Sequence, residues 1–235
     1  MTSATVVGST GLVGSHILSA LLSLPSVSNV TALARRTPTA PDPSNKLNAV
    51  VDTESSKWPS QLSALKPPSQ IFFSGLATTR AQAGGFENQK KIDHDLNVEL
   101  AKAAAAAGVR VYVLISAAAT STTSNFAYSR MKAELDEAVK ELNFEHVVLI
   151  QPGLIVGDRA DSRPPEAALR AIARFAGTIS GGRLKDFWAQ DAEVIGKAAV
   201  NAGLQCLTGD APKEKVWVVQ AADIIRLGKT EWSQN

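Results

Sequence analysis

Tyr128 and Lys132 stand four positions apart within a run, residues 126–142, whose apolar periodicity predicts a helix, so both side chains project from one face. A phenol beside an ammonium can give a proton to a carbonyl under reduction, or take one from an alcohol in reverse. Ser116 lies 12 positions before Tyr128 at the end of a predicted strand, 109–116. Ligands of open parallel sheets bind at such strand ends. Its hydroxyl would hold the carbonyl oxygen, while Lys132 would also anchor a nicotinamide ribose. Ser116, Tyr128 and Lys132 are therefore the candidate catalytic set. No Gly-x-Ser-x-Gly turn surrounds Ser116, which argues against a hydrolase nucleophile.

Reduction also needs a hydride, and the chain begins with a place to hold its carrier. Gly8, Ser9, Thr10, Gly11, Leu12, Val13 and Gly14 follow an apolar strand-like run and open an apolar helix-like run. Glycines at that turn allow a tight bend and close backbone approach, and the first helical turn offers N–H groups to a diphosphate. About 20 residues further on, Arg35 and Arg36 close the second predicted strand with no acid beside them. Arginine there suits the 2′-phosphate of NADP(H), where a carboxylate would suit the 2′-hydroxyl of NAD. Asp52, after the third strand, is a candidate acceptor for the adenine amino group.

These residues must be positioned by an alternation of elements. Short apolar runs at 5–7, 29–34, 47–51, 71–74, 109–116, 146–151 and 216–219 predict strands covered on both faces. Helices are predicted at 12–24, 57–65, 91–107, 126–142, 166–175 and 192–207. The alternation predicts an α/β fold, a doubly wound parallel sheet of the Rossmann type that binds NAD(P). Residues 1–151 form its core, and 152–235 a smaller, substrate-facing portion that completes the same domain.

Composition narrows the class. The 235 residues are 45% hydrophobic and 20% charged, as in a globular domain. With 24 basic and 22 acidic side chains, the net charge of +2 makes no electrostatic case for nucleic acid. One cysteine, Cys206, excludes an internal disulfide and fits a reducing compartment. Residues 1–34 carry no Lys, Arg, Asp or Glu, unlike a matrix-targeting or secretory leader, and the apolar run that ends at Pro25 is too short to cross a bilayer. His16, His94 and His146 lack metal-ligand spacing, and no metal is expected. Asp93 and Asp95, near a predicted helix start, read as partners of the helix dipole. Asn97 reads either as a relay residue holding a water or as packing.

The glycine spacing, Ser116 and Tyr128-x-x-x-Lys132 resemble the short-chain dehydrogenase/reductase superfamily in its extended-like or atypical branch. Leu76-Ala77-Thr78-Thr79-Arg80, Ser124-Asn125-Phe126, Pro152-Gly153 and Asp158-Arg159-x-x-Ser162-Arg163-Pro164 are similar to the family of the human Tat-interacting oxidoreductase and its fungal relatives from the mitochondrial proteome. The resemblance implies an NADP(H)-binding Rossmann fold and, for the fungal members, peripheral attachment to the mitochondrial outer membrane. It implies that Ser9, Thr10, Leu12 and Val13 line the diphosphate, that Leu76 and Ala77 run along the cofactor, and that Pro152 and Gly153 shape the carboxamide pocket. Arg159 and Arg163 would contact an acidic substrate or the cofactor phosphate, or bridge the two portions of the chain.

The leading expectation is an NADP(H)-dependent oxidoreductase acting on a small carbonyl or alcohol. An NADPH-bound sensor or adaptor without turnover, and an epimerase or dehydratase, are its rivals. The apolar residues around 168–182 suggest a nonpolar substrate pocket, with Gly177, Gly181 and Gly182 as a flap or simple connectors.

Overall fold

The structure, a computed structural model, describes residues 1–42, 45–157 and 189–232. In chain order its elements are β1 (Thr2–Val7), α1 (Leu12–Ser23), β2 (Val27–Ala34), β3 (Leu47–Val51), α2 (Trp58–Ala64), β4 (Ile71–Ser74), α3 (Arg80–Ala83) and α4 (Phe86–Lys90). A π-helical segment, Lys91–Leu96, leads into α5 (Asn97–Ala107). β5 (Val111–Ile115), α6 (Ala127–Glu141), β6 (His146–Ile150), β7 (Leu154–Val156), β8 (Ala189–Asp191), α7 (Ala192–Thr208), β9 (Val216–Val219) and α8 (Ala221–Ile225) follow.

Seven strands form one sheet in the order β3-β2-β1-β4-β5-β6-β9, every pair parallel. The chain grows outward from β1 in one direction and from β4 in the other. That switch point opens a crevice above the carboxyl ends of β1 and β4, where doubly wound folds bind ligands.

Strand alternation divides the interior in two. Ile71 and Phe73, Val111 and Val113, and Val148 and Ile150 face the core under α1 and α7. Phe72, Tyr112, Leu114, Val147 and Leu149 face the core under α2, α5 and α6. There Phe72 stacks on Tyr112 with ring centroids 5.2 Å apart, and Phe144 closes on Tyr112 at 5.0 Å. Each such side chain contributes about 1.5–3 kcal/mol on burial.

The portion after residue 151 is not confined to the substrate side. Val194, Ile195, Ala198, Ala199, Val200 and Ala202 of α7 are all buried, and they cover the sheet beside α1. β9 is the seventh strand, paired to β6. So apolar a helix has to be spent on the core. Only the parallel β7–β8 pair stands outside the main sheet among the described residues. Cys206, the sole cysteine, is buried on α7, and burial pushes its thiol up to about 12.

The helix predicted at 91–107 starts earlier and changes pitch. Across Lys91–Leu96 the turn widens to a π-helix, and the buried Asn97 side chain donates to the carbonyls of Ile92 and Asp93, both at 3.2 Å. No helix among the described residues is long and apolar enough to cross a membrane. The predicted helix at 166–175, the arginines Arg159 and Arg163, and the glycines at 177–182 lie outside the described residues.

Candidate active site

The turn between β1 and α1 is built backbone against backbone. Gly8 takes a φ of +77°, and a Cβ there would sit 2.5 Å from the Gly75 carbonyl group. A Cβ on Gly14 would come within 2.1 Å of the Gly8 oxygen. The carboxyl ends of β1 and β4 thus meet through glycine alone. Gly75 was missed by the sequence reading, although a glycine directly after a strand is a visible signal.

Gly11 caps α1 without any side-chain hydrogen bond, and no acid occupies the first turn. The N–H groups of that turn are left for an anion. Beside them the Ser9 hydroxyl is buried with no hydrogen-bond partner among the described residues, which costs about 1–3 kcal/mol unless a ligand accepts from it. A glycine cradle, an uncapped helix start and an orphaned hydroxyl fit the diphosphate of a dinucleotide. Thr10 and Gly11 are exposed, Leu12 is half-buried and Val13 is buried.

Val7 pairs in register with Leu33, so Arg35 and Arg36 follow β2 directly beside this turn. Both are exposed, and neither is ion-paired among the described residues. The next strand brings Asp52 alongside, its N–H donating to the Ala34 carbonyl at 3.0 Å. The Asp52 carboxylate already accepts from the Glu54 N–H (2.9 Å) and the Gln61 amide (2.8 Å). An adenine amino group would have to share it.

Beyond β4, Leu76 is half-buried and Ala77 exposed, and the helix over 86–107 clamps this segment three times. The Thr78 N–H donates to Asp93 at 2.6 Å, Gln89 donates to the Thr78 carbonyl at 3.1 Å, and Asn97 donates to the Leu76 carbonyl at 3.2 Å. Asn97 also accepts from the Ser74 hydroxyl. Its amide is therefore fully committed to structure. Asp93 is no surface partner of a helix dipole: it is buried, whereas Asp95 is exposed and pairs with His94 at 2.8 Å.

α6 brings Tyr128 and Lys132 to one face, as their spacing requires. Tyr128 is half-exposed in the first turn, while Lys132 is only 2% exposed and donates to the Ile115 carbonyl at 3.3 Å. One turn further, buried Asp136 accepts from the Ser116 hydroxyl at 2.8 Å and from Gln151 at 3.4 Å. Ser116 is thus at the end of β5 as expected, but its hydroxyl points its proton at Asp136.

The charges are mutually tuned. Burial pulls the Lys132 ammonium down in pKa, and Asp93 and Asp136 push it back up. Burial raises both carboxyls above their ordinary value, against hydrogen bonds and Lys132. The Tyr128 phenol is raised by desolvation and then by Asp93. Both carboxyls thus act electrostatically on one buried ammonium, and Asp93 also acts on the phenol. Neither acid was read from sequence as part of the site.

On the far side of the crevice the Pro152 carbonyl accepts from the Ala118 N–H at 3.0 Å, and the Gly153 N–H donates to Gln190 at 3.1 Å. Gln190 is fully buried, and its amide nitrogen has no partner among the described residues.

Comparison with known proteins agrees with the fold. The profile of a family described as NAD(P)H-binding matches residues 8–173. A protein of Aspergillus terreus named "Protein fmp52-1, mitochondrial" is 57% identical over 232 residues, covering 97% of this chain and 100% of its own. Among solved structures, the Bordetella bronchiseptica enzyme WbmF in complex with NAD+ superposes with a TM-score of 0.65 at 14% identity, over 94% of this chain and 72% of that one. A UDP-N-acetylglucosamine 4-epimerase from Methanobrevibacter ruminantium in complex with UDP-N-acetylmuramic acid gives 0.66 at 14%, over 93% and 76%. At such identities these two share the fold alone. A glycine turn at a switch point, matched over most of the chain, makes this protein a member of the NAD(P)H-binding family of Rossmann-type proteins, together with the fungal Fmp52 proteins.

Proposed function

We propose that the chain is an NADP(H)-dependent oxidoreductase of the short-chain dehydrogenase/reductase type, acting on a small carbonyl or alcohol. The observation that carries this reading is the buried Lys132 one helical turn below the Tyr128 phenol, on the helix that borders the crevice. The residues at 8–14 would hold the diphosphate, Arg35 and Arg36 the 2′-phosphate, and Leu76, Ala77, Pro152 and Gly153 the flanks of the nicotinamide half. When bound, the cofactor supplies or accepts the hydride.

The chain's own task is proton delivery and orientation. Tyr128 gives its hydroxyl proton to the carbonyl oxygen as that oxygen gains negative charge, and Lys132 stabilises the phenolate left behind. Ser116 holds the same oxygen, because a hydroxyl hydrogen turns about the Cβ–Oγ bond without moving its oxygen. Tyr128→Phe keeps the ring and removes the proton. It should lower kcat on any reduced carbonyl by about 10²–10⁴-fold while leaving cofactor affinity nearly unchanged. Full turnover in that variant would overturn the assignment.

One observation favours a second reading, an NADPH-bound sensor or adaptor. The Ser116 hydroxyl donates its proton to buried Asp136 at 2.8 Å. Tight NADPH binding with no oxidation across a panel of aldehydes and ketones would select it. The mitochondrial name of the Aspergillus relative supports a mitochondrial address, and resemblance to the fungal members of the Tat-interacting oxidoreductase family is the sole ground for a peripheral place on the outer membrane. Alkaline carbonate should then release the protein from isolated mitochondria, and retention in the pellet would count against that address.

A further inference from the structure

Gln190 uses only half of a buried amide. It lies in β8, paired in register with Ile155 of β7, and the whole residue is fully buried. Its carbonyl oxygen accepts from the Gly153 N–H at 3.1 Å. A backbone N–H can be answered here only by the amide oxygen, so this contact fixes the other end of the side chain as nitrogen. That nitrogen carries two N–H donors and meets no acceptor among the described residues. Sealed from solvent, it cannot turn to bulk water, and an unpaired buried donor is destabilising. Methionine or leucine would fill the same space without that burden.

The free donor stands at the reacting end of the crevice. Gly153 follows β6, and the chain just before it is bonded to the segment that carries Ser116. The Ser116 N–H donates to the Ile150 carbonyl at 2.8 Å, and the Ala118 N–H to the Pro152 carbonyl at 3.0 Å. At its far end β7 runs to Gly157, where an added Cβ would lie 3.0 Å from the Leu12 side chain in the first turn of α1. The β7–β8 pair thus extends from the diphosphate cradle to the Ser116 side, the span over which a dinucleotide would lie. The two ends of one amide are neighbours, so the unused N–H groups belong to the Gly153 end of that span. We propose that Gln190 is a further binding residue, whose free amide donates to the carboxamide oxygen of a bound nicotinamide while its own oxygen holds the Gly153 turn beside it. The inference rests on the NADP(H) reading. An amide is what the position requires: a carboxylate could accept from Gly153 but brings no donor, and an apolar side chain does neither.

The test is a calorimetric titration of the full chain and needs no turnover. Thio-NADP+ carries sulfur, a weak acceptor, in place of the carboxamide oxygen. The wild type should bind NADP+ about two- to tenfold more tightly than thio-NADP+, the range of one neutral hydrogen bond. In Gln190→Met the two should bind alike, because NADP+ loses its advantage. Affinity for 2′-phospho-ADP-ribose, which lacks only the nicotinamide, should stay at its wild-type value. A preference for oxygen that survives in Gln190→Met, or an equal loss of 2′-phospho-ADP-ribose, overturns the inference. Should Gln190→Met fail to fold, Gln190→Leu takes its place, and a wild type that does not distinguish oxygen from sulfur overturns the inference without any variant. A wild type that binds NADP+ and thio-NADP+ equally leaves the cofactor reading standing, whereas one that binds neither removes that reading and this inference together.

Discussion

In the proposed function Arg35 and Arg36 carry the cofactor preference: both are exposed directly after β2. A charge-assisted contact to phosphate is worth about 1.5–3 kcal/mol, so its loss weakens binding by roughly ten- to a hundredfold. Replacing both arginines by alanine should therefore raise the Kd for NADPH by at least about tenfold and leave that for NADH nearly unchanged, as read by fluorescence titration. Equal losses for both cofactors would remove NADP(H) preference from these residues. Asp52 answers to a different balance, since the Glu54 N–H and the Gln61 amide already draw on its oxygens.

Among elements, the β1–α1 turn tolerates least. At Gly14 an added Cβ would meet the Gly8 carbonyl at 2.1 Å, backbone against backbone, with no flexible side chain to yield. At Gly11 the same atom would approach only that carbonyl, at 3.1 Å. Gly14→Ala should lower stability by about 1–3 kcal/mol and abolish measurable cofactor binding, whereas Gly11→Ala should be distinctly milder in thermal melts. All seven strands of the main sheet were legible as apolar runs. The inner ones are covered on both faces, which leaves few other ways to write them. The edge strands β3 and β9 are partly exposed, against the expectation of cover on both faces. The Tyr128–Lys132 pairing was equally legible, being fixed by helix period alone. What stayed hidden depends on contacts far apart in the chain. Asp93 and Asp136 look like ordinary charges on polar helices until β4 and β5 close over them. The stretch Lys91–Leu96 carries no breaker that would announce a change of pitch. Three-residue strands such as Leu154–Val156 and Ala189–Asp191 are too short to leave a period, and their partners are 35 residues apart in register (Leu154 with Ala189). The role of α7 was misjudged because a helix apolar enough to roof a sheet was assigned by its position after Pro152 rather than by its side chains.

At the scale of the whole molecule, α7 ties the end of the chain to its beginning: Gly196 abuts His16 of α1, and Gly203 abuts Phe73 in the sheet. Cys206 rides on that helix as the molecule's only thiol, sealed in and far from its reactive form. A maleimide can reach it only when α7 lifts away. Labelling kinetics thus count openings of the roof at a single, natural position, with no engineered probe. Saturating NADPH should slow the reaction in proportion to 1 + [L]/Kd if lifting α7 also dismantles the glycine cradle, and leave it unchanged if the roof breathes on its own. The lone sulfur becomes a clock for how tightly the two ends of the polypeptide are fastened.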